Sequence, residues 1–363
     1  MRRKTGLARN TAVTEQWEFA PRFTKWSSPA LADADTLTRS IMRNVGRSKA
    51  GVAVSCLALA IAGFALFHLL RGIDLDKVLA AIVAQPKPAV ALAALLVAAG
   101  YANLVLYDLF ALHTIGRRDI PLRVAAFASF TSYTIGHSLG AATLTCGLVR
   151  FRVYSFWNLT VVDIAKIAFM TGMTFWLGNA FVLGGAVAYA PDALGAINHL
   201  PAWLNRSFGC AGLAAIACYL MWLAAKPRVV GWAGWRIALP NVRRTLLQIG
   251  IGSLDRCLAT LSFFVLLPAV PSVDFATVIV VFVLATLLGT VSHTPGSLGV
   301  VEAGILIGLP QFQREELLAA VLTFRVLDFF LPLLLALIIF GLREIRLMMQ
   351  GASPGMVQSP PPH

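Results

Sequence analysis

Long apolar segments separated by short polar loops constrain this chain more than any other feature. Of its 363 residues, 58% are hydrophobic and only 13% are charged, and the mean hydropathy is +0.76. The hydrocarbon core of a bilayer is about 30 Å thick and is crossed by a helix of about 20 apolar residues. An ordinary soluble domain is therefore excluded, and the sequence predicts an all-α polytopic membrane protein.

Six segments are long and apolar enough to cross the bilayer as single helices. They run from about 50 to 70, 89 to 112, 162 to 189, 208 to 225, 246 to 270 and 317 to 340. We expect residues 49–346 to form one transmembrane domain. Residues 1–48 are expected to be a basic cytoplasmic tail, and the Pro- and Ser-rich residues 347–363 a disordered one.

Two further apolar segments are interrupted by polar and glycine residues, and their arms are too short to span. The first, residues 122–151, breaks at Gly136–Gly140, and the second, residues 275–309, breaks at Thr290–Glu302. Non-helical backbone at membrane depth needs hydrogen-bond partners from protein or from a water-filled cavity. Each segment is therefore predicted to be a re-entrant helical hairpin, and such broken helices commonly form substrate sites.

The two breaks resemble each other in sequence. Thr134-x-x-His137 followed by Gly147-x-x-Arg150 matches Thr290-x-x-His293 followed by Gly299-x-x-Glu302. With six spans, the hairpins enter the membrane from opposite sides, which predicts an inverted repeat whose broken helices meet near the midplane. The hairpin backbone positions expected to matter are Gly136, Gly140, Gly147, Pro295, Gly296 and Gly299.

The distribution of basic residues predicts the orientation. The formal net charge is +13, and in this topology 22 of the 30 Lys and Arg residues lie on the side of the N-terminus, against 5 on the other side. Such asymmetry is the positive-inside pattern, and it favours anionic lipid over nucleic acid as the partner. We therefore expect a multi-pass bacterial inner-membrane protein with both termini in the cytoplasm.

Charged and polar residues at the breaks are the candidate substrate contacts: Glu302, Arg150, Arg325, His137, His293 and Ser297. Glu302 is predicted to bind a cationic group or a proton, or alternatively to act as a capping charge. Arg150 and Arg325 would bind a lipid phosphate; the alternatives are a membrane-surface anchor for Arg150 and an internal salt bridge with Asp328 for Arg325. The two histidines would contact headgroups, shuttle protons or satisfy the bent backbone.

No catalytic residue, cofactor or metal site is predicted. Asp74-Leu-Asp76 superficially matches the paired carboxylates by which some membrane glycosyltransferases hold a metal ion and a lipid-linked sugar. The start of a surface helix explains these two residues better, because carboxylates favour the first turn of a helix. Mutating both residues would separate the two interpretations.

The Pro295-Gly296-Ser-Leu-Gly299-Val-Val-Glu302 stretch, the glycine-rich break ending in Arg150 and the order of spans resemble the lysylphosphatidylglycerol synthase transmembrane family. The likeness covers about residues 49–346. It implies a flippase-like domain that moves aminoacylated or other anionic phospholipids, or related glycolipids, hopanoids or polyprenyl lipids, between leaflets. Only about 17 residues follow Arg346, so we expect a stand-alone form without the soluble aminoacyl transferase domain.

The partners expected from this resemblance are a membrane phospholipid or lipid-linked substrate and a separately encoded lipid-modifying enzyme. The alternative function is a membrane component of a lipid-modifying aminoacyl- or glycosyltransferase, or its non-catalytic partner subunit. Altered lipid composition in a deletion strain would favour the transferase, and altered leaflet distribution alone would favour translocation.

Overall fold

The computed structural model describes residues 75–138, 142–232, 235–292 and 294–349. Several predictions therefore lie outside the described residues. These are the N-terminal tail, the first span, Asp74, Gly140, His293 and nearly all of the C-terminal tail.

The described chain is dominated by helices. In order they are α1 (Leu75–Ala84), α2 (Lys87–Thr114), α3 (Leu122–Ser138), α4 (Ala142–Tyr154), α5 (Val161–Tyr189), α6 (Pro191–Asn198), α7 (Ala202–Ala225), α8 (Val242–Leu266), α9 (Phe275–Val291), α10 (Val300–Gly308), α11 (Arg314–Arg325) and α12 (Leu331–Met349). A π-helical turn, Val326–Phe330, joins α11 directly to α12.

Five helices within the described ranges are long and apolar enough to cross a membrane. They are α2, α5, α7, α8 and the continuous Arg314–Arg343 unit formed by α11, the π-helical turn and α12. Each corresponds to one of the predicted spans, because a run of about 20 apolar residues specifies both the length and the helical state of a segment in lipid. The all-α polytopic membrane architecture is confirmed; the total number of spans stays a prediction.

One small sheet departs from the all-helical prediction. Strands β1 (Val229–Trp232) and β2 (Trp235–Ala238) form an antiparallel hairpin in the basic linker before α8. Val229, Val230 and Ile237 are β-branched residues, which favour extended backbone. The segment between α7 and α8 is therefore ordered in part as strands.

Each interrupted segment forms two helices that pack against each other, α3 on α4 and α9 on α10. The first break lies between Ser138 and Ala142, so Gly136 belongs to the last turn of α3 and Gly147 lies inside α4. The second break contains Gly296, Ser297 and Gly299, whose φ angles are 59°, 54° and 81°. Glycine adopts this left-handed region without steric penalty, which explains its use at two of these positions.

Small residues allow the helices to approach closely. A Cβ added at Gly252 of α8 would meet the backbone of Thr174 and Gly178 of α5 well inside van der Waals distance. Within the second hairpin, a Cβ added at Gly304 of α10 would lie 2.8 Å from the Cβ of Ala285 of α9. Such small-residue contacts are typical of membrane helix pairs, where close backbone packing substitutes for the hydrophobic effect.

The largest apolar core lies between α8, α9, α10 and α11. Its centre is a ring cluster in which Phe282 lies 5.4 Å from both Phe263 and Phe324, measured between ring centroids. Contacts of this geometry stabilise a core beyond simple burial. The cluster fixes the second hairpin against α11, and Phe282 and Phe324 also form part of the wall of the cavity described next.

Candidate functional site

A cavity of about 200 Å³ lies between α2, α3, α5, α8, α9, α11 and the turn Pro295–Ser297 of the second hairpin. Its wall includes the charged residues Asp255, Arg256, Arg325 and Asp328, together with His137. Three tyrosines and several phenylalanines complete the wall. A polar cavity among membrane-length helices is where ionisable residues are normally found in transporters, so it is the candidate substrate site.

The Arg325 guanidinium holds the break of the second hairpin in place. Its Nε donates to Glu302 Oε1 at 2.8 Å, its Nη1 donates to the Gly296 carbonyl at 2.6 Å, and its Nη2 donates to the Ser297 carbonyl at 3.2 Å. The left-handed turn leaves these carbonyls without helical partners, and a buried carbonyl without a donor is costly. Three of the five guanidinium N–H groups are thus engaged, and the other two have no hydrogen-bond partner among the residues that the structure describes.

Glu302 is the partner of both Arg325 and the hairpin backbone. It is the third residue of α10, and its Oε2 accepts the Gly299 N–H at 2.7 Å, which caps the helix N-terminus. Only 7% of its side chain is exposed, and it is not among the residues that line the cavity. The contacts match the capping alternative raised from the sequence; direct contact between Glu302 and a cationic ligand stays a prediction.

Arg150 forms a second buried ion pair, away from the second hairpin. Its Nε and Nη2 donate to the two oxygens of Asp108 at 3.1 and 2.7 Å, and Tyr154 Oη donates to the same carboxylate at 2.9 Å. Only 2% of the Arg150 side chain is exposed, and its guanidinium lies 4.7 Å from the Tyr133 ring centroid. Tyr133 lines the cavity and Arg150 does not, so Arg150 lies behind this wall.

Asp255 and Arg256, which are adjacent in the sequence, form a further ion pair in the cavity wall. Arg256 Nη2 donates to the carboxylate of its neighbour Asp255 at 2.7 Å, and the Arg256 guanidinium lies 5.4 Å from the Phe175 ring centroid. Asp328 lies on the π-helical turn, and its backbone carbonyl accepts the Tyr101 hydroxyl at 2.9 Å. The sequence suggested an Arg325–Asp328 pair on one helix face, whereas Arg325 instead bonds across helices to Glu302.

Two of the predicted contact residues besides Arg325 line the cavity, namely His137 and Ser297. His293 lies outside the described residues. His137 Nδ1 lies 2.7 Å from the Tyr133 carbonyl. Because a carbonyl can only accept, this contact places the hydrogen on Nδ1 and leaves Nε2 as an acceptor in the neutral ring. His137 thus satisfies the end of α3 and lines the cavity at the same time.

The structure adds residues that the sequence analysis did not select. Tyr101, Tyr107 and Tyr133 line the cavity, and Asp108 is the completely buried partner of Arg150. A charged residue inside an apolar span was the available signal for Asp108. The tyrosines gave no such signal, because aromatic residues are also common in lipid-facing and interfacial positions.

Two other sequence features have simple structural roles. Asp76 is exposed and lies in the first turn of α1, as expected for a helix start. Asp163 forms a capping box with Thr160 at the start of α5. Among the residues that the structure describes, no group of three or more His, Cys, Asp or Glu side chains could hold a metal ion.

Comparison with known proteins gives the family. No family model matches the chain. It is 30% identical over 245 residues to the inner membrane protein YbhN of Escherichia coli K12, which covers 66% of this chain and 74% of YbhN. The chain belongs to the YbhN family. It is also 32% identical to the uncharacterized protein slr0712 of Synechocystis, over 68% of this chain and 76% of that protein.

A short part of this chain is also similar to lysyltransferases. The chain is 37% identical over 70 residues to a phosphatidylglycerol lysyltransferase of Staphylococcus haemolyticus, which is 19% of this chain and 8% of the enzyme. Two Staphylococcus epidermidis lysyltransferases match over 83 residues at 34% identity. The predicted relationship to the lysylphosphatidylglycerol synthase transmembrane family is confirmed, and the chain is a membrane protein related to YbhN and to part of these lysyltransferases.

Proposed function

We propose that this protein binds a phospholipid-like substrate in the cavity and lets its headgroup cross the membrane between leaflets. The observation that carries the proposal is the set of charged residues around one cavity, enclosed by helices of membrane-spanning length. Charged groups at membrane depth are costly unless they serve a pathway or a binding site. The substrate is an anionic or aminoacylated phospholipid or a related glycolipid, hopanoid or polyprenyl lipid.

The topology we propose has six spans, two re-entrant hairpins related as an inverted repeat, and both termini in the cytoplasm. Helices α3 and α9 have 17 residues each, α4 has 13 and α10 has 9, and none reaches the usual length of a spanning helix. In support, α3 packs against the turn Pro295–Ser297 of the other hairpin. Labelling single cysteines placed in each loop from either side of intact cells would test this arrangement.

The cavity volume supports entry of a headgroup alone. A water molecule occupies about 30 Å³ of liquid, so about 200 Å³ holds a small polar group but not a diacyl lipid. The acyl chains would stay in the bilayer while the headgroup passes through the cavity. The two free N–H groups of Arg325 are suited to a phosphate, since a guanidinium binds phosphate oxygens in a fork geometry.

Filling the cavity tests the proposal without removing a charge. Gly100 lines the cavity, and a Cβ added there has no atom within 4 Å, so phenylalanine at this position meets open space. In proteoliposomes, the Gly100→Phe variant should scramble fluorescent phospholipid at least about tenfold more slowly than the native protein. Gly172→Phe is the matched control, because Gly172 also faces open space but does not line the cavity.

The outcome is decisive in either direction. If Gly100→Phe scrambles lipid as fast as the native protein and as the Gly172→Phe control, the headgroup does not pass through this cavity. If the purified native protein scrambles no lipid, translocation is refuted as the function.

Direct contact between Arg150 and a lipid phosphate stays a prediction. It is tested by measuring lipid scrambling by the Arg150→Ala variant beside the Arg325→Lys variant.

A further inference from the structure

Asp328 occupies an unusual position in the cavity wall. It lies in the π-helical turn Val326–Phe330, where the hydrogen-bond ladder between α11 and α12 changes register. Single π-helical turns are frequent at functional sites, because they redirect a side chain and free a backbone carbonyl. Here the Asp328 carbonyl is taken up by the Tyr101 hydroxyl, and the residue lines the cavity.

The charges around the cavity do not cancel. Arg256 is bound to Asp255, and Arg325 is bound to Glu302. No hydrogen bond or ion pair to the Asp328 carboxylate is formed by any residue within the described ranges. When all five groups are counted in their ionised forms, the acids outnumber the bases by one, and Asp328 is the acid without a bonded base.

Tyr107 lines the same cavity close to these charges. Only 1% of its surface is exposed, and its hydroxyl lies beside Asp255 with almost no surface accessible from the cavity. Tyr107 therefore contributes to the wall through its ring, and the carboxylate without a bonded base in this wall is that of Asp328.

The aromatic part of the wall narrows the class of ligand. Tyr101, Tyr107 and Phe329 surround the space together with Asp328. A carboxylate among aromatic rings is suited to an organic ammonium, which is attracted by both the charge and the ring faces. Arg325, three residues before Asp328, provides two free N–H groups for an anion.

We propose that Asp328 accepts the ammonium group of a phospholipid headgroup whose phosphate is held by Arg325. Glu302, which the sequence suggested for the cationic group, is instead occupied by Arg325 and the Gly299 N–H. The inference rests on the proposed function for the identity of the substrate as a lipid. It adds which residue binds each part of the headgroup. Asp328 and Arg325 lie about one helical turn apart, on the π-helical turn and on α11.

Equilibrium binding in detergent tests this inference with two probes that share a phosphate. The probes are phosphatidylethanolamine and N-acetylphosphatidylethanolamine with identical acyl chains, of which only the first carries an ammonium. We expect the native protein to prefer phosphatidylethanolamine by at least about tenfold, the usual size of a charge-assisted hydrogen bond. Asp328→Asn should abolish this preference and leave the affinity for the N-acetyl probe unchanged.

Asp192→Asn is the matched control, since Asp192 is exposed in the first turn of α6 and should keep the preference. Retained binding of the N-acetyl probe also shows that the Asp328→Asn variant is folded. The inference is overturned if Asp328→Asn keeps the tenfold preference, or if it loses both probes equally. Because binding requires no transport, a preference that depends on Asp328 in a protein that scrambles no lipid would refute translocation alone.

Discussion

Replacing Arg325 by methionine should destabilise the folded protein by about 3–5 kcal/mol, the usual effect of removing one partner from a buried ion pair. The Glu302 side chain is 7% exposed and would be left buried without its guanidinium partner. The carbonyls of Gly296 and Ser297 would also lose their donors, each at a cost of about 1–3 kcal/mol where water cannot replace the donor. These costs overlap, because water entering from the cavity can satisfy part of the turn, so the ion-pair value is the expected total.

Reversible unfolding in detergent, followed by circular dichroism, measures this free energy. Arg314→Met provides the control, because Arg314 is exposed at the start of the same helix and its replacement should change stability by no more than about 0.5 kcal/mol. Adding Glu302→Gln to the Arg325→Met variant should restore about 1–3 kcal/mol, since the second change removes the unpaired charge. Equal stability of the Arg325→Met and Arg314→Met variants would refute the assignment of Arg325 as the residue that stabilises the break.

Two further changes test the packing and the second ion pair. Gly252→Leu should reduce the melting temperature and the yield of folded protein, because the new side chain overlaps the backbone of α5. Gly250→Leu is the control on the same helix and should be tolerated, because a Cβ at Gly250 meets open space. Comparable melting temperatures of the two variants would contradict the close crossing of α5 and α8. Arg150→Met should cost about 3–5 kcal/mol by leaving Asp108 buried and unpaired, while the exposed-site control Arg123→Met should cost little; similar unfolding free energies would argue against a buried pair.

The membrane helices were predictable because the information that specifies them is local. The expected span 162–189 corresponds to Val161–Tyr189, and the expected arm beginning at Phe275 corresponds to Phe275–Val291. In lipid, an apolar run must satisfy its own backbone, so hydropathy alone gives both helical state and approximate ends. Pro295, Gly296 and Gly299 likewise marked the second break, because these residues combine poor helix formation with freedom of φ.

The inverted repeat stays a prediction, and the two matching motifs lie at different helix positions. Arg150 and Glu302 occupy matching places in the two sequence motifs, yet Arg150 lies in the ninth position of α4 and Glu302 in the third position of α10. Equal spacing from a glycine does not determine where a helix starts, since the start depends on caps and on packing against neighbouring helices. A motif of so few positions therefore placed the residues near the breaks without fixing their surroundings.

The sequence by itself determined that the protein lies in a membrane and which helices are long and apolar enough to cross it. It also showed that charged residues lie at depths where charge is costly. Only the tertiary structure decided how those charges are paired: Arg325 with Glu302, 23 residues away, and Arg150 with Asp108, 42 residues away. The physical reason is that an ion pair depends on the distance between its two groups in space. When the partners lie on different helices, their spacing in the sequence does not determine that distance. Asp328 lines the cavity without a bonded base from the described residues. The sequence pattern had instead suggested a salt bridge between Asp328 and Arg325.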